Sequence, residues 1–285
     1  FNKSEKFQKQ MNKVLPKEYN FLIPCPQQTL SRMGVNKDGG YIVNEKLINN
    51  SNILISFGMG DEFSFENDFL KKNEKNKVFI FDYSINHKIY IKNILKIIRR
   101  ILKFKRRYSD LIMILNTFKN FRKFINKDKV EFFSKKITNN VINKNDTNLK
   151  KIFELLKINK KENINLKIDI EGDEYKIIDD ILIYNDKIIQ IVMEFHDTHT
   201  KKEEFFKSVK KLQKFFTIVH LHANNYNKCN NDSFPINVEI TFCKNKYLTQ
   251  TQDRLYNFPI KNLDYPNNST LPDLEINFQE DGSFS

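Results

Sequence analysis

The sequence predicts an α/β protein in which helices flank a mostly parallel sheet, as one domain over residues 1–285. The first observation is the segment 53–66, where a five-residue apolar run of strand length ends in Gly58 and Gly60. The second is that further strand-length apolar runs follow, separated by segments with helical periodicity. The third is Asp82, which ends the next apolar run 22 residues after Gly60. Strand, glycine turn, helix, strand and acid in this order are typical of a nucleotide-binding sheet.

The glycine turn gains weight from the scarcity of glycine, since the chain has only seven. Gly-x-Gly alone is a weak signal, but glycine lets the backbone approach a ligand closely. The helix expected to begin at about residues 61–64 would add unpaired backbone N–H donors at the same place. The sequence therefore predicts a ligand site at this turn.

The basic excess of the chain is concentrated in one stretch. The formal net charge is +13, and the segment between His87 and Val130 holds fourteen Lys and Arg against two acidic residues. We interpret residues 88–129 as an inserted pair of helices, with a helical stripe of apolar side chains at Ile94, Leu95, Ile98, Ile101 and Leu102.

Two functions of this basic insertion stay open at this point. In one interpretation the helices pack on the body with a basic outer face; in the other they contact an anionic membrane surface or a phosphate-bearing substrate. A nucleic-acid partner is not expected, because the stretch carries Ile and Leu rather than spaced stacking aromatics and no base-reading motif. No apolar run reaches the roughly 20 residues of a membrane span.

Three cysteines, Cys25, Cys229 and Cys243, form no Cys-x-x-Cys pair. They favour a reducing compartment, and we expect a cytoplasmic protein. The chain begins with Phe1, so the native start is expected to be missing. Residues 1–30 are predicted to form a leading helix and a linker, and residues 261–285 a tail that covers the site.

Acidic and imidazole groups follow three later strands. The run from Ile164 is expected to carry Asp169 and Glu171 on one face of a strand, before Gly172 turns the chain into a helix. Four of the five histidines lie at two further strand ends, with Glu194 beside them; they are His196, His199, His220 and His222. Carboxylates at such positions hold a metal, take a proton or bind a cation, so this edge of the sheet is predicted to be a working site.

The segment Lys167-Ile168-Asp169-Ile170-Glu171-Gly172-x-Glu174, with Glu194-x-His196 after it, resembles the FkbM-type S-adenosylmethionine-dependent methyltransferases. The resemblance covers roughly residues 32–244. The first glycine motif, Ser56-Phe57-Gly58-Met59-Gly60, departs from the usual Asp-x-Gly-x-x-x-Gly.

This resemblance implies a class I methyltransferase sheet, which is Rossmann-like, with S-adenosylmethionine over the turn at Phe57, Gly58 and Gly60. It places the ribose on Asp82 and the adenine against Tyr83. The other expected cofactor residues are Ser84, and Asp38 and Tyr41 from the Asp-Gly-Gly-Tyr loop. An ordinary turn is the alternative interpretation of that loop. The implied activity is O-methylation of a sugar hydroxyl, in a nucleotide-activated sugar or a bacterial surface polysaccharide.

A sugar hydroxyl is a weak nucleophile, so a base must take its proton as the methyl group moves in line. His196 or His222 is the expected base, with Asp169 as the alternative base or as the group that orients the histidine. Glu171 and Glu194 would anchor acceptor hydroxyls. The same carboxylates and a histidine could instead bind one divalent metal, and the sequence does not decide between the two mechanisms.

Two other classes of protein compete with this interpretation. One is a metal-dependent glycosyltransferase that uses a nucleotide sugar, with Asp169 and Glu171 as its metal motif. The other is a non-enzymatic module that binds nucleic acid or a membrane surface through residues 88–129.

Overall fold

The computed structural model describes residues 14–25, 29–158, 162–248 and 254–280. The strands are Leu30–Met33 (β1), Tyr41–Asn44 (β2), Ile53–Phe57 (β3), Lys77–Phe81 (β4), Val130–Phe133 (β5), Lys136–Ile137 (β6), Asp146–Thr147 (β7), Ile164–Ile168 (β8), Ile188–Phe195 (β9), Phe216–Ala223 (β10), Val238–Lys244 (β11), Asn257–Phe258 (β12) and Ile276–Asn277 (β13). The α-helices are Glu45–Asn49 (α1), Ser64–Lys72 (α2), His87–Leu102 (α3), Tyr108–Ile125 (α4), Leu149–Leu156 (α5), Ile178–Ile183 (α6) and Lys202–Leu212 (α7), and 3₁₀ helices span Lys17–Leu22, Glu174–Ile177 and Asn245–Tyr247.

Seven strands form the central sheet in the order β10-β11-β9-β8-β3-β4-β5. All neighbours are parallel except β11, which runs antiparallel to both β9 and β10. Every residue of β3, β8 and β9 is buried, as expected for strands covered on both faces. The predicted mostly parallel α/β sheet is confirmed, and the carboxyl ends of β3, β4, β8 and β9 meet at one edge.

Alternation along the strands divides the apolar side chains between two cores. Ile55 and Phe57 of β3 pack in one core with α5, α6 and α7, while Leu54 packs in the other with α2 and α4. Successive side chains of a strand point to opposite faces, so these two cores lie on opposite sides of the sheet. Helices on both faces hold the strand ends rigidly in place.

The predicted pair of inserted helices is confirmed as α3 and α4. Asn86 caps α3 by accepting a hydrogen bond from the Ile89 N–H (3.0 Å), and Tyr90 stacks on Phe118 with ring centroids 5.0 Å apart. Beyond this base, the predicted apolar stripe is only half packed: Ile94 and Ile101 are half-buried, whereas Leu95, Ile98 and Leu102 are exposed. Within the described ranges, no helix is both long and apolar enough to cross a bilayer.

Two local predictions need correction. The strand expected to carry Asp169 and Glu171 ends at Ile168, because Glu171 adopts a left-handed conformation (φ +55°) and Gly172 follows at φ +99°. The helix after Gly172 begins as the 3₁₀ turn Glu174–Ile177 before α6. Of the predicted leading helix, residues 1–13 lie outside the described ranges, and residues 14–25 contain only the 3₁₀ helix Lys17–Leu22.

Candidate active site

The two glycines of the turn after β3 are required for different reasons. Gly58 has φ +76°, and a Cβ atom there would lie 1.7 Å from the backbone oxygen of Asp169. This close approach follows from the pairing of β3 with β8, in which the Asp169 N–H donates to the Phe57 carbonyl (2.8 Å). Gly60 has φ +60°, but a Cβ atom there would meet no described residue within 4 Å apart from its two chain neighbours. Packing therefore excludes a side chain at Gly58, whereas the space beside Gly60 is open to a ligand.

Asp82 fixes the shape of this turn. Its Oδ2 accepts hydrogen bonds from the N–H groups of Met59 (2.9 Å) and Gly60 (2.8 Å). Its Oδ1 accepts from the N–H (2.7 Å) and the hydroxyl (2.6 Å) of Ser84. A carboxylate offers about four acceptor positions, so donors of its own chain already engage it. A ribose hydroxyl would have to share or replace one of these donors, and the assignment of the ribose to Asp82 stays a prediction.

A cavity of about 60 Å³ lies at this edge of the sheet, and Gly58, Asp82, Tyr83, Ser84, Asp169 and Glu171 line it. Its opposite wall includes Lys136, which pairs with Asp173 (2.8 Å) and lies 5.7 Å from the centre of the Tyr83 ring. Tyr83 and Lys136 also line a second cavity of about 940 Å³, which extends to the base of α3.

The remaining predicted cofactor residues lie away from this cavity. The Phe57 side chain is 1% exposed and packs edge-on against Phe81, so only its backbone faces the turn. The Tyr41 hydroxyl donates to Asp169 Oδ2 (3.0 Å) from beneath, and Asp38 accepts from the Asn267 amide (3.3 Å). Asp38 and Tyr41 thus belong to the neighbouring carboxylate cluster.

His196 lies at the centre of the predicted catalytic residues. Its Nε2 lies 3.8 Å from Asp169, 3.6 Å from Glu171 and 3.7 Å from Glu194. Its Nδ1 lies 3.3 Å from Glu174 Oε1, which also accepts the His196 N–H (2.6 Å). Burial alone would lower the pKa of His196, but the carboxylates of Glu174, Glu194 and Asp169 around the ring raise it to about 10. In this arrangement His196 is a cation near neutral pH.

A second group of carboxylates adjoins the first. Oxygens of Asp38, Glu194 and Glu239 lie within 4.8 Å of one another, as do ligand atoms of Asp169, Glu171 and His196. Asn267 donates to Glu239 (2.6 Å) and Asn224 donates to Glu194 (2.8 Å). Burial raises the pKa values of Asp38 and Asp169, and it raises that of Glu194 further, with the charge of Asp169 adding to it. The cluster therefore contains closely spaced hydrogen-bond acceptors whose negative charges repel.

His222 lies behind this cluster. Its Nδ1 lies 3.3 Å from Glu239 and its Nε2 lies 3.0 Å from Asp273. Burial alone would lower its pKa, but hydrogen bonds to Asp273 and Glu239 raise it to about 10. Both ring nitrogens are occupied, so its predicted catalytic role stays a prediction that this geometry disfavours. His220 pairs with Asp264 (3.0 Å), and His199 is exposed, so of these histidines only His196 reaches Asp169.

Sequence reasoning missed several residues that shape the site. Lys167 is buried in β8, 3.2 Å from Glu66 Oε1 and 3.1 Å from the Gly58 carbonyl, so it supports the glycine turn. A lysine inside a strand that is buried on both faces must have a buried polar partner, so the sequence could have indicated a structural role for Lys167. Glu174 was visible in the motif, and Asn267 lies in the tail that was predicted to cover the site. Glu239 joins the site through antiparallel β11, and neither Glu239 nor Asn267 was singled out from the sequence.

The sheet carries a glycine turn after β3, an acid after β4 and a carboxylate–histidine cluster after β8 and β9, and its antiparallel strand lies beside β9. This arrangement is that of a class I methyltransferase. Residues 15–227 match the Methyltransferase FkbM domain, and the chain belongs to this family. The protein is therefore a methyltransferase, and the family implies S-adenosylmethionine as its cofactor. The glycosyltransferase alternative loses its support, and the interpretation as a non-enzymatic module is wrong.

No curated protein matches the chain. Solved structures that match the chain include a putative rRNA-methylase from Clostridium thermocellum (12% identity, 86% of this chain and 97% of that chain, TM-score 0.37). Others are a precorrin-6y C5,15-methyltransferase from Geobacter metallireducens GS-15 (14% identity, 68% and 81%, TM-score 0.35) and a putative caffeoyl-CoA O-methyltransferase from Staphylococcus aureus (12% identity, 69% and 78%, TM-score 0.33). At these scores the substrates of the three proteins say nothing about the acceptor of this chain.

Proposed function

We propose that the protein is an S-adenosylmethionine-dependent O-methyltransferase that acts on a hydroxyl of a sugar, either nucleotide-activated or part of a bacterial surface polysaccharide. The observation that carries the proposal is the cluster of half-buried Asp38 and Asp169 with buried Glu194 and Glu239, which meets the glycine-turn cavity at Asp169. Closely spaced carboxylate and amide groups are suited to an acceptor with several hydroxyls, because each oxygen can accept one hydroxyl hydrogen bond.

The glycine turn, Asp82, Tyr83 and Ser84 would hold the cofactor, whose sulfonium supplies an electrophilic methyl group when bound. Three features fit this role: the open space at Gly60, the half-exposed aromatic ring of Tyr83 and the acidic edge beside them. A cationic sulfonium is stabilised next to carboxylates. Asp38 and Tyr41 would affect cofactor binding only indirectly, through their contacts with the carboxylate cluster.

Asp169 is the proposed base. His196 and His222 both carry a proton near neutral pH, whereas the raised pKa of Asp169 makes its carboxylate more basic than that of an exposed aspartate. The acceptor O–H would donate to Asp169 and lose its proton there as the oxygen takes the methyl group. The Tyr41 hydroxyl fixes the other oxygen of Asp169, and the imidazolium of His196 holds the adjacent carboxylates in place. Glu171 and Glu194 would bind neighbouring hydroxyls.

A metal-assisted form of the same reaction is the second candidate, because Asp169, Glu171 and His196 have the spacing of a ligand set. Oxygen ligands with one imidazole suit Mg²⁺ or Mn²⁺. A divalent ion would bind only after His196 loses its proton, so the ion and the proton compete for this site.

Calorimetry with S-adenosylhomocysteine and transfer of a labelled methyl group to a panel of nucleotide sugars test the proposal. We expect cofactor binding in the wild type and in Asp169→Asn, with methyl transfer lowered about 10²–10⁴-fold in that variant. Glu203→Gln, which changes an exposed carboxylate on α7, is the matched control and should transfer normally. Absence of cofactor binding, or full activity of Asp169→Asn, would refute the proposal.

A cytoplasmic location is part of this proposal. The chain has three cysteines and no Cys-x-x-Cys pair, and this cysteine usage favours a reducing compartment.

A further inference from the structure

The hairpin formed by α3 and α4 presents an unusual row of exposed aliphatic side chains. On α3 these are Ile91 (50% exposed), Leu95 (48%), Ile98 (36%) and Leu102 (75%). Their spacing of four, three and four residues places them along one face of the helix. This face is distinct from the packed side, where Tyr90 stacks on α4, so the stripe contributes nothing to the core.

Exposed apolar side chains continue through the turn that connects α3 to α4, which is the tip of the hairpin, and into α4. Phe104 is 98% exposed in the connecting turn, with Lys103 and Lys105 on either side. On α4, Tyr108, Ile112 and Leu115 are exposed at spacings of four and three residues. Large apolar side chains at a projecting tip are costly to leave in water, and contiguous ones usually mark an interaction surface.

Positive charge surrounds these apolar side chains. Residues 87–125 contain twelve Lys and Arg and one acidic residue, Asp110. Across the described parts of the chain, Asp110 is also the only carboxylate that pairs with a basic side chain of the hairpin, namely Arg106 (3.5 Å). On α3, Lys88, Lys92 and Arg99 project from the helix face next to the aliphatic stripe. The hairpin is therefore amphipathic and cationic outside the part that packs on the body.

We propose that this hairpin docks on an anionic membrane surface, with the aliphatic stripe and Phe104 in the headgroup–acyl boundary and the basic side chains among the headgroups. An interfacial helix combines an apolar face with a Lys- and Arg-rich polar face, which is the pattern here. Each basic side chain near an anionic leaflet adds attraction, so charge and apolar area act together.

Two other binding partners fit the surface of the hairpin less well. A nucleic acid would pair with the cations but would leave the aliphatic stripe in water, since bases stack on aromatic rings and not on Ile or Leu. A second copy of the hairpin would bring two strongly positive surfaces together and be repelled. An anionic lipid surface satisfies both the charge and the apolar side chains.

Docking would also orient the active site. Asn86, His87 and Lys88 at the base of the hairpin line the 940 Å³ cavity, whereas Leu102 lies about 18 Å further along the α3 axis from Tyr90. The membrane surface would therefore lie within one helix length of the cavity. This orientation does not depend on which acceptor the enzyme methylates.

Flotation of the 285-residue chain with lipid vesicles tests the proposal. At about 0.1 M salt we expect binding to phosphatidylcholine vesicles with about 30% phosphatidylglycerol, and at least tenfold weaker binding to pure phosphatidylcholine. The pair Leu102→Ser and Phe104→Ser should weaken binding to the anionic vesicles about tenfold, which corresponds to about 1.4 kcal/mol. Arg99→Gln with Lys103→Gln should weaken it similarly and reduce its salt dependence.

Leu155→Ser with Ile183→Ser is the matched control, because both side chains are exposed (56% and 71%) but lie on α5 and α6. These changes should leave vesicle binding unaltered, and circular dichroism melts should show that every variant is folded. Equal binding to both kinds of vesicle, or none, would overturn the proposal. Binding to duplex RNA or DNA that the serine pair does not affect would instead assign the hairpin to nucleic acid. Self-association that the serine pair abolishes, without vesicle binding, would assign it to a second copy of the chain.

Discussion

Replacing Gly60 by alanine is expected to weaken cofactor binding while the protein still folds. An L-residue in the left-handed region at φ +60° costs about 1–2 kcal/mol of folding free energy relative to glycine. Among the described residues, no atom beyond Gly60 and its two chain neighbours lies within 4 Å of the added methyl group, so no packing penalty adds to this cost. The methyl group instead occupies the space in which the cofactor would contact the turn.

Gly58→Ala is the matched comparison two residues earlier. Gly58 has a similar backbone conformation, φ +76°, but a Cβ atom there would lie 1.7 Å from the backbone oxygen of Asp169 and 2.8 Å from its carbonyl carbon. Only separation of β3 from β8 at the centre of the sheet would relieve this contact. We expect destabilisation above about 4 kcal/mol, which is exceptional for one substitution, or failure to fold.

Thermal unfolding and calorimetry with S-adenosylhomocysteine separate the two effects. For a chain of this size, about 1 kcal/mol lowers the melting temperature by roughly 2–4 °C, so Gly60→Ala should melt only several degrees below the wild type. Its affinity for S-adenosylhomocysteine should fall at least tenfold. Wild-type affinity in Gly60→Ala would show that the turn does not hold the cofactor. A Gly58→Ala protein as stable as Gly60→Ala would refute the packing argument.

Three further predictions concern buried charge. Lys167→Met should destabilise the fold by about 3–5 kcal/mol in urea unfolding, because the buried carboxylate of Glu66 loses its partner. The double variant Lys167→Met with Glu66→Gln should recover most of this stability. A double variant as unstable as Lys167→Met would contradict the pairing. The pKa of His222 is raised to about 10, above its unfolded value near 6.5, so its stabilisation is complete below about pH 6.5 and is lost as the pH rises through about 10. The difference in unfolding free energy between the wild type and His222→Gln should therefore shrink from pH 6 to pH 10, and a constant difference would argue against this charge state. If Mn²⁺ binds between Asp169, Glu171 and His196, calorimetry in buffers of different ionisation enthalpy should detect proton release. Chelation of the ion with EDTA should then remove methyltransferase activity. Unchanged activity in EDTA would favour the metal-free mechanism with Asp169 as the base.

The sequence predicted the central sheet and its functional edge well, because these features are local. Buried parallel strands appear as continuous apolar runs, and Gly58, Asp82 and Asp169 each follow such a run directly. Once the strands are parallel, their carboxyl ends must share one edge. The convergence of the turn, the acid and the motif carboxylates was thus implied by strand type alone.

The detail of the candidate site depends on contacts between distant segments. His196 and His222 look equivalent in the sequence, yet only His196 faces Asp169, because Asp273, 51 residues further along the chain, occupies the second nitrogen of His222. The raised pKa values arise from this burial beside carboxylates of several strands, which no local pattern reports.

By itself, the sequence determined the strands, the glycine turn and the chemical types of the site residues, since each is encoded by neighbours within a few positions. Only the tertiary structure decided that Asp82 holds the turn and that Glu171 leaves the strand. It also decided that Leu95, Ile98 and Leu102 of the predicted apolar stripe on α3 are exposed. Helical periodicity predicts an apolar face but not its partner, because a partner is a matter of which other segment packs against that face in the folded chain.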